Sequence, residues 1–312
     1  MKTILITGAS GFVGSNLSKY ADNEGMKTIP LSLRRADWAS LLNSSNADAI
    51  IHLAGKAHDT RNSSLEKEYQ HINRDLTIEV FRQFLNSDIK DFFYFSSVKA
   101  VADTVPDILT EEAIPNPLTP YGRSKLAAEN YLLTADLPKG RRLFIIRPCM
   151  IHGPGNKGNL NMLYQLAKKG LPWPLAAFEN KRSFLSIDNL CYLMIQMLNN
   201  TEIRSGIYNF ADDVSLSTNE LIALIAKLEG KRPRLWTIPS RFISRLATIG
   251  DTLRFIPLNT ERLKKLTENY VVSNEKIKKA LHIEQLPVTV KDGLINTIKS
   301  FNTSSYASKL QH

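Results

Sequence analysis

Gly8, Gly11 and Gly14 recur every third residue between an apolar run, Thr3 to Thr7, and a helical pattern that includes Asn16, Leu17 and Tyr20. A strand that turns into a helix through glycines exposes backbone amides and the positive end of the helix dipole with no side chain in the way. That combination suits a pyrophosphate. Ser10, Phe12 and Val13 complete the loop and are read with the glycines as dinucleotide contacts. In open α/β sheets such loops lie at the carboxyl ends of the strands.

Further short apolar runs follow at Thr28 to Leu33, Ala49 to Leu53, Phe92 to Ser96 and Leu143 to Ile146, separated by amphipathic stretches. Buried strands alternating with helices predict parallel βαβ units, hence an α/β fold with a doubly wound parallel, Rossmann-type sheet. From Met150 onward Pro172, Pro174, Pro233, Pro239, Pro257 and Pro287 punctuate shorter elements. The expected organisation is a dinucleotide-binding domain over 1–149 and a smaller substrate lobe over 150–303, with a polar tail at 304–312. Gly206 to Phe210 is read as a strand returning to the main sheet.

The composition narrows the function. Cys149 and Cys191 stand alone, and His52, His58, His71, His152 and His282 show no metal-ligand spacing, so neither a disulfide framework nor a metal site is expected. The opening apolar run is too short for a signal peptide, and a cytoplasmic protein is expected. No apolar stretch approaches the roughly 20 residues of a membrane span. The net charge of +10 is spread along the chain without aromatic-interleaved basic runs. It therefore points to anionic small molecules and not to nucleic acid. Arg241 to Phe255, with Phe242, Arg245, Leu246, Leu253 and Arg254, reads as a basic amphipathic helix. The expectation is a lobe cover with a solvated outer face, without membrane contact. No Gly-x-Ser-x-Gly elbow or HExxH motif argues for hydrolysis.

At the end of the second strand, where an NAD site carries an acidic ribose reader, the chain has Leu31-Ser32-Leu33-Arg34-Arg35. Two guanidinium groups suit a 2′-phosphate, which favours NADP(H) over NAD(H). Tyr121 and Lys125 stand four apart at the start of a helical pattern running to Leu133, and so share a face. A carbonyl that receives hydride needs a proton, which a tyrosine supplies if a neighbouring cation stabilises its anion. A serine at the preceding strand end would hold the reacting oxygen. Ser97 is favoured, with Ser96 left open because alternation alone does not say which faces the ligand.

The glycine loop, His52-Leu53-Ala54-Gly55, Asn73, Ser96-Ser97 and Tyr121-x-x-x-Lys125 together resemble the extended short-chain dehydrogenase/reductase family. The resemblance implies Leu53, Ala54, Gly55, Asn73, Ser96 and Pro148 as cofactor neighbours, with Asp37 and Trp38 bordering the adenine. It also implies homodimers. Arg147-Pro148, His152-Gly153-Pro154-Gly155, Gly158-Asn159-Leu160 and Arg182-Ser183-Phe184 are similar to the nucleotide-sugar epimerase, dehydratase and reductase branch. That similarity implies Asn159, Leu160 and Arg182 at a nucleoside diphosphate, with Ser97, Lys99, Tyr121 and Met150 toward the sugar.

Dehydratases of that branch carry an acidic pair after the serine or threonine, where this chain has Val98-Lys99. The expected activity is reduction, by NADPH, of a UDP-4-keto-6-deoxy-N-acetylhexosamine. Two readings stay open beside it: a UDP-hexose or UDP-N-acetylhexosamine 4-epimerase with bound NAD, and a non-catalytic dinucleotide-sensing protein.

Overall fold

A sheet covered on both faces buries its central strands, and alternate positions sort into two layers. The computed structural model, which describes residues 1–57, 65–156, 160–252 and 259–309, has this arrangement. The chain runs β1 (Thr3–Thr7), α1 (Phe12–Asn23), β2 (Lys27–Leu31), α2 (Trp38–Asn43), β3 (Ala49–His52), α3 (Glu66–Tyr69), a π-helical segment (Gln70–Asp75) and α4 (Leu76–Leu85). Next come β4 (Asp91–Phe95), a 3₁₀ turn (Val98–Ala100), β5 (Ile108–Leu109), α5 (Pro120–Leu133), β6 (Arg142–Pro148), β7 (Met150–His152), α6 (Leu160–Lys168) and β8 (Phe184–Ser186). The remainder is α7 (Ile187–Asn199), β9 (Gly206–Phe210), α8 (Thr218–Leu228), α9 (Ser240–Thr252), α10 (Thr260–Thr267), β10 (Val271–Val272), α11 (Glu275–Leu281) and α12 (Val290–Lys309).

One parallel sheet has the order β2-β1-β3-β4-β6-β9. Ile4, Ile6, Ile51, Phe93 and Phe144 face α1 and α7, packing with Leu17, Leu190 and Met194. Leu5, Ile50, Phe92, Tyr94 and Ile145 face the other way, onto Leu42, Phe81, Phe84 and Leu132 of α2, α4 and α5. Pro30 sits in β2, the outer strand, where no further neighbour needs its missing N–H. β2 ends at Leu31 and not at Leu33, because Arg35 N turns back to the Ser32 carbonyl at 3.2 Å. β9 does return to the sheet, beside β6.

From β1 the chain steps outward to β2 and then crosses to β3 on the other side, so the switch point lies between β1 and β3. Ligands of open α/β sheets bind there. A separate apolar cluster, including Tyr164, Trp173, Phe184, Ile225, Ile243 and Leu294, forms the core of the C-terminal elements. The segment from Ser304, expected as a tail, continues α12 as helical backbone to Lys309. Among the described residues no helix is long and apolar enough to cross a membrane.

Candidate active site

Gly8 leaves β1 with φ +70°, and a Cβ there would stand 2.8 Å from the Ala54 nitrogen. Glycine therefore lets the loops after β1 and β3 touch at the switch point. A Cβ at Gly14 would stand 2.4 Å from the Gly8 carbonyl oxygen, so the third glycine seats α1 on its own loop. Gly11 caps α1 without a side-chain hydrogen bond, and the first turn, which includes Phe12 and Val13, holds no acidic residue. Its first amides and the helix dipole are left for an anion. A loop drawn tight by glycines, with amides left open at the amino end of a helix, fits a dinucleotide pyrophosphate.

The two arginines after β2 part company. Arg35 donates from Nε and a terminal nitrogen to both oxygens of Asp37, at 2.9 and 2.8 Å. That hydrogen bonding holds the Asp37 carboxyl below its ordinary pKa and raises that of Arg35. Arg34 is exposed and makes no hydrogen bond or ion pair among the described residues. The expected pair of free guanidinium groups is thus one free and one committed. Trp38 opens α2 beside them.

Behind Leu53, Ala54 and Gly55 runs a buried chain of hydrogen bonds whose direction can be deduced. The Thr77 hydroxyl donates to the Asn73 carbonyl at 2.8 Å, so it must accept from His52 Nε2 at 3.0 Å. His52 Nδ1 then accepts from the Thr7 hydroxyl at 2.7 Å, and Thr7 accepts from Ala54 N at 3.2 Å. Burial lowers the His52 pKa to about 3, which agrees with a neutral ring. The Asn73 carboxamide accepts from Lys56 N at 2.7 Å and bonds Ser124 Oγ at 3.0 Å, so it fastens the loop after β3 to α5.

Helix α5 begins at a Thr119 cap that accepts from Gly122 N at 3.2 Å, with Pro120 in the first turn. A Cβ at Gly122 would stand 2.3 Å from the Lys99 carbonyl oxygen. The helix therefore rests directly on the turn after β4, which brings Tyr121 to Ser97. Burial raises the Tyr121 pKa, and a hydrogen bond with the Ser97 hydroxyl pulls it back. The alternation left open in the sequence is resolved here: Ser96 turns the other way and donates to the carboxylate of Glu129.

Lys125, one turn after Tyr121, is 6% exposed and donates to the Phe95 carbonyl at 2.8 Å. Burial lowers its pKa to about 8, against the pull of Glu129 upward. A Cβ at Gly55 would stand 3.3 Å from the Lys125 amine, so that glycine keeps space for it. Glu129, a turn further, is wholly buried and takes Arg147 Nε at 3.0 Å, with a second bond from the same guanidinium. The helix α5 face thus reads Tyr121, Lys125, Glu129.

Toward the C-terminal elements, the Lys99 amine donates to the Asp103 carbonyl at 2.9 Å and lies 4.2 Å from the Tyr270 ring centroid. Arg182 is fixed through its backbone, donating to Leu216 O at 2.9 Å, while burial lowers its pKa and Glu268 and Tyr270 oppose that. Met150 opens β7, Leu160 opens α6 and Pro148 closes β6 opposite Phe210. Asn159 and His58 lie outside the described residues. His152 is buried and its ring bonds the Thr297 hydroxyl at 2.9 Å. The sequence reading missed Glu129 and Tyr270. Glu129 had a signal: it continues the four-residue spacing of Tyr121 and Lys125 onto an apolar helix face.

The profile of the NAD dependent epimerase/dehydratase family matches residues 4–211, which spans the glycine loop, the Tyr121 helix and β9. The chain belongs to that family. A UDP-glucose 4-epimerase of Vibrio cholerae is 30% identical over 246 residues, covering 72% of this chain and 75% of that protein. An N-acetyl-alpha-D-glucosaminyl-diphospho-ditrans,octacis-undecaprenol 4-epimerase of Escherichia coli O157:H7 is 28% identical over 304 residues, covering 92% and 87%. The structure of RMD from Pseudomonas aeruginosa complexed with NADPH has the same fold, with a TM-score of 0.74 at 22% identity, covering 97% of this chain and 100% of that one. Membership makes this an NAD(P)-dependent enzyme of the nucleotide-sugar epimerase and reductase kind.

Within the family frame, the Glu129–Arg147 pair is the buried charge most exposed to test. Glu129→Gln is expected to destabilise the fold by about 3–5 kcal/mol in urea unfolding, because it leaves a buried guanidinium without its counter-charge. Adding Arg147→Met should recover part of that loss.

Proposed function

We propose that this epimerase/dehydratase-family enzyme uses NADPH to reduce the 4-keto group of a UDP-linked 4-keto-6-deoxy-N-acetylhexosamine. The observation that carries the reading is the Arg34 guanidinium just past β2, exposed and without an ion pair among the described residues, with the Asp37 carboxylate engaged on both oxygens by Arg35. A carboxylate so occupied is a poor acceptor for a ribose 2′-hydroxyl, whereas an open guanidinium suits a 2′-phosphate. An enzyme built for NADPH consumes a reductant, which fits reduction better than epimerisation.

A bound dihydronicotinamide supplies the hydride. Ser97 holds the carbonyl oxygen in line with the Tyr121 hydroxyl, and Tyr121 gives that oxygen its proton as carbon 4 becomes an alcohol. Lys125, held against the Phe95 carbonyl, offers the positive charge that stabilises the resulting phenolate. Arg182, with Asn159 and Leu160, would take the diphosphate. At Val98 and Lys99 no carboxyl stands beside Ser97 to remove a hydroxyl, which argues against dehydration.

A 4-epimerase would use the same Tyr121, Ser97 and Lys125 to oxidise and then re-reduce carbon 4. The Vibrio cholerae relative favours that second reading.

The purified protein is expected to oxidise NADPH in step with reduction of an enzymatically generated UDP-4-keto-6-deoxy-N-acetylhexosamine. Interconversion of UDP-hexose epimers without net NADPH loss would instead establish the epimerase, and no turnover on either substrate would leave a dinucleotide-binding protein. Tyr121→Phe should lower kcat by about 10²–10⁴-fold with NADPH affinity nearly unchanged. Arg34→Ala should weaken NADPH by about tenfold in a fluorescence titration and leave NADH unaffected.

The pH dependence follows from burial. A lowered lysine pKa means the ammonium is present below about 8 and is lost as pH rises through it, so kcat should fall above about pH 8. Lys125→Arg, whose guanidinium stays charged, should flatten that fall at a lower absolute rate.

A further inference from the structure

Helix α9 has two apolar faces, and only one of them is used. Ile243 and Ala247 are 3% and 0% exposed and pack into the C-terminal core. Phe242, Leu246 and Ile249, at 61%, 49% and 47%, form a second line along the helix, and the neighbouring Trp236 is 54% exposed. The expected solvated outer face is therefore apolar. Single exposed apolar residues are ordinary, but an aligned row along one helix is the mark of a contact surface.

The charges beside this row identify what it fits. The 3.6-residue period puts Arg241 and Arg245 along one flank of the apolar line. With Arg232 and Arg234 on the preceding segment, they make no ion pair among the described residues. Residues 231–252 carry Lys231 and these four arginines against one acidic residue, Asp251, whose carboxylate is already taken by Thr260 N at 2.9 Å. Unpaired arginines flanking a Trp/Phe/Leu face match a helix that lies in the boundary of an anionic bilayer, apolar side among the acyl chains and guanidinium groups among the headgroup phosphates. A second copy of the chain fits worse: a two-fold contact through this patch would set Arg241 and Arg245 near their own counterparts.

We infer that α9 docks this enzyme on an anionic membrane surface, with Phe242, Leu246 and Trp236 inserted and Arg241 and Arg245 on the headgroups. The contact is peripheral, on a different helix from the one that carries Tyr121.

Flotation of the full chain with phosphatidylcholine–phosphatidylglycerol vesicles, against phosphatidylcholine alone, tests this. Association is expected with the anionic vesicles, weakening as salt is raised. Arg241→Gln with Arg245→Gln should lower the partition coefficient on the order of tenfold. Phe242→Ser with Leu246→Ser should abolish association. Both variants replace exposed side chains, so gel filtration and NADPH binding in solution should match the parent. Absence of vesicle binding by the parent chain, or equal binding by both variants, would overturn the inference. So would a parent oligomer that Phe242→Ser with Leu246→Ser dissociates, since the face would then belong to a second copy. The readout is binding, so it stands whether the enzyme proves to be a reductase or an epimerase.

Discussion

A carboxylate with no access to water has to be neutralised where it stands, and Glu129 is such a group. Its oxygens take the Arg147 guanidinium from β6 and the Ser96 hydroxyl from the end of β4. Removing both charges from water costs several kcal/mol per ion, so stability alone is a weak reason for such a pair. Its geometric effect is larger: helix α5 cannot rotate or slide without breaking four hydrogen bonds at once. Tyr121 and Lys125 are therefore held in register with Ser97 and the Phe95 carbonyl.

The same economy of position governs the other side of the site. The loops after β1 and β3 meet where Gly8 has no side chain, and Asn73 then bonds the second of these loops to α5 through Ser124. The glycine loop and the Tyr121 helix are thus parts of one hydrogen-bonded frame. The directional chain Thr7, His52, Thr77, Asn73 extends it down between the strands, with burial keeping the histidine uncharged.

Features with a repeat were legible in the sequence. Apolar runs marked the six strands of the main sheet to within two residues, the three glycines marked the turn from β1 into α1, and the four-residue spacing of Tyr121 and Lys125 placed them on a shared helix face. What depends on a tertiary partner was not legible. The spacing of Glu129 puts it on the helix face of Tyr121 and Lys125, but its counter-charge, Arg147, comes from another strand. Arg34 and Arg35 look equivalent until Asp37 folds back on one of them. Ser96 and Ser97 differ only in which side of a strand end they occupy. On α9 the helical period was plain, yet which apolar residues face the core depends on how the lobe packs beneath it.

The proposed reaction is a hydride transfer from NADPH to carbon 4, completed by Tyr121, Lys125 and Ser97. The most direct test is a reaction with NADPH carrying deuterium at the transferable position of the nicotinamide, followed by mass and NMR analysis of the sugar. Deuterium on carbon 4 of the product, in proportion to NADPH consumed, is the predicted result. Epimerised sugar free of deuterium, with the added NADPH intact, would contradict it.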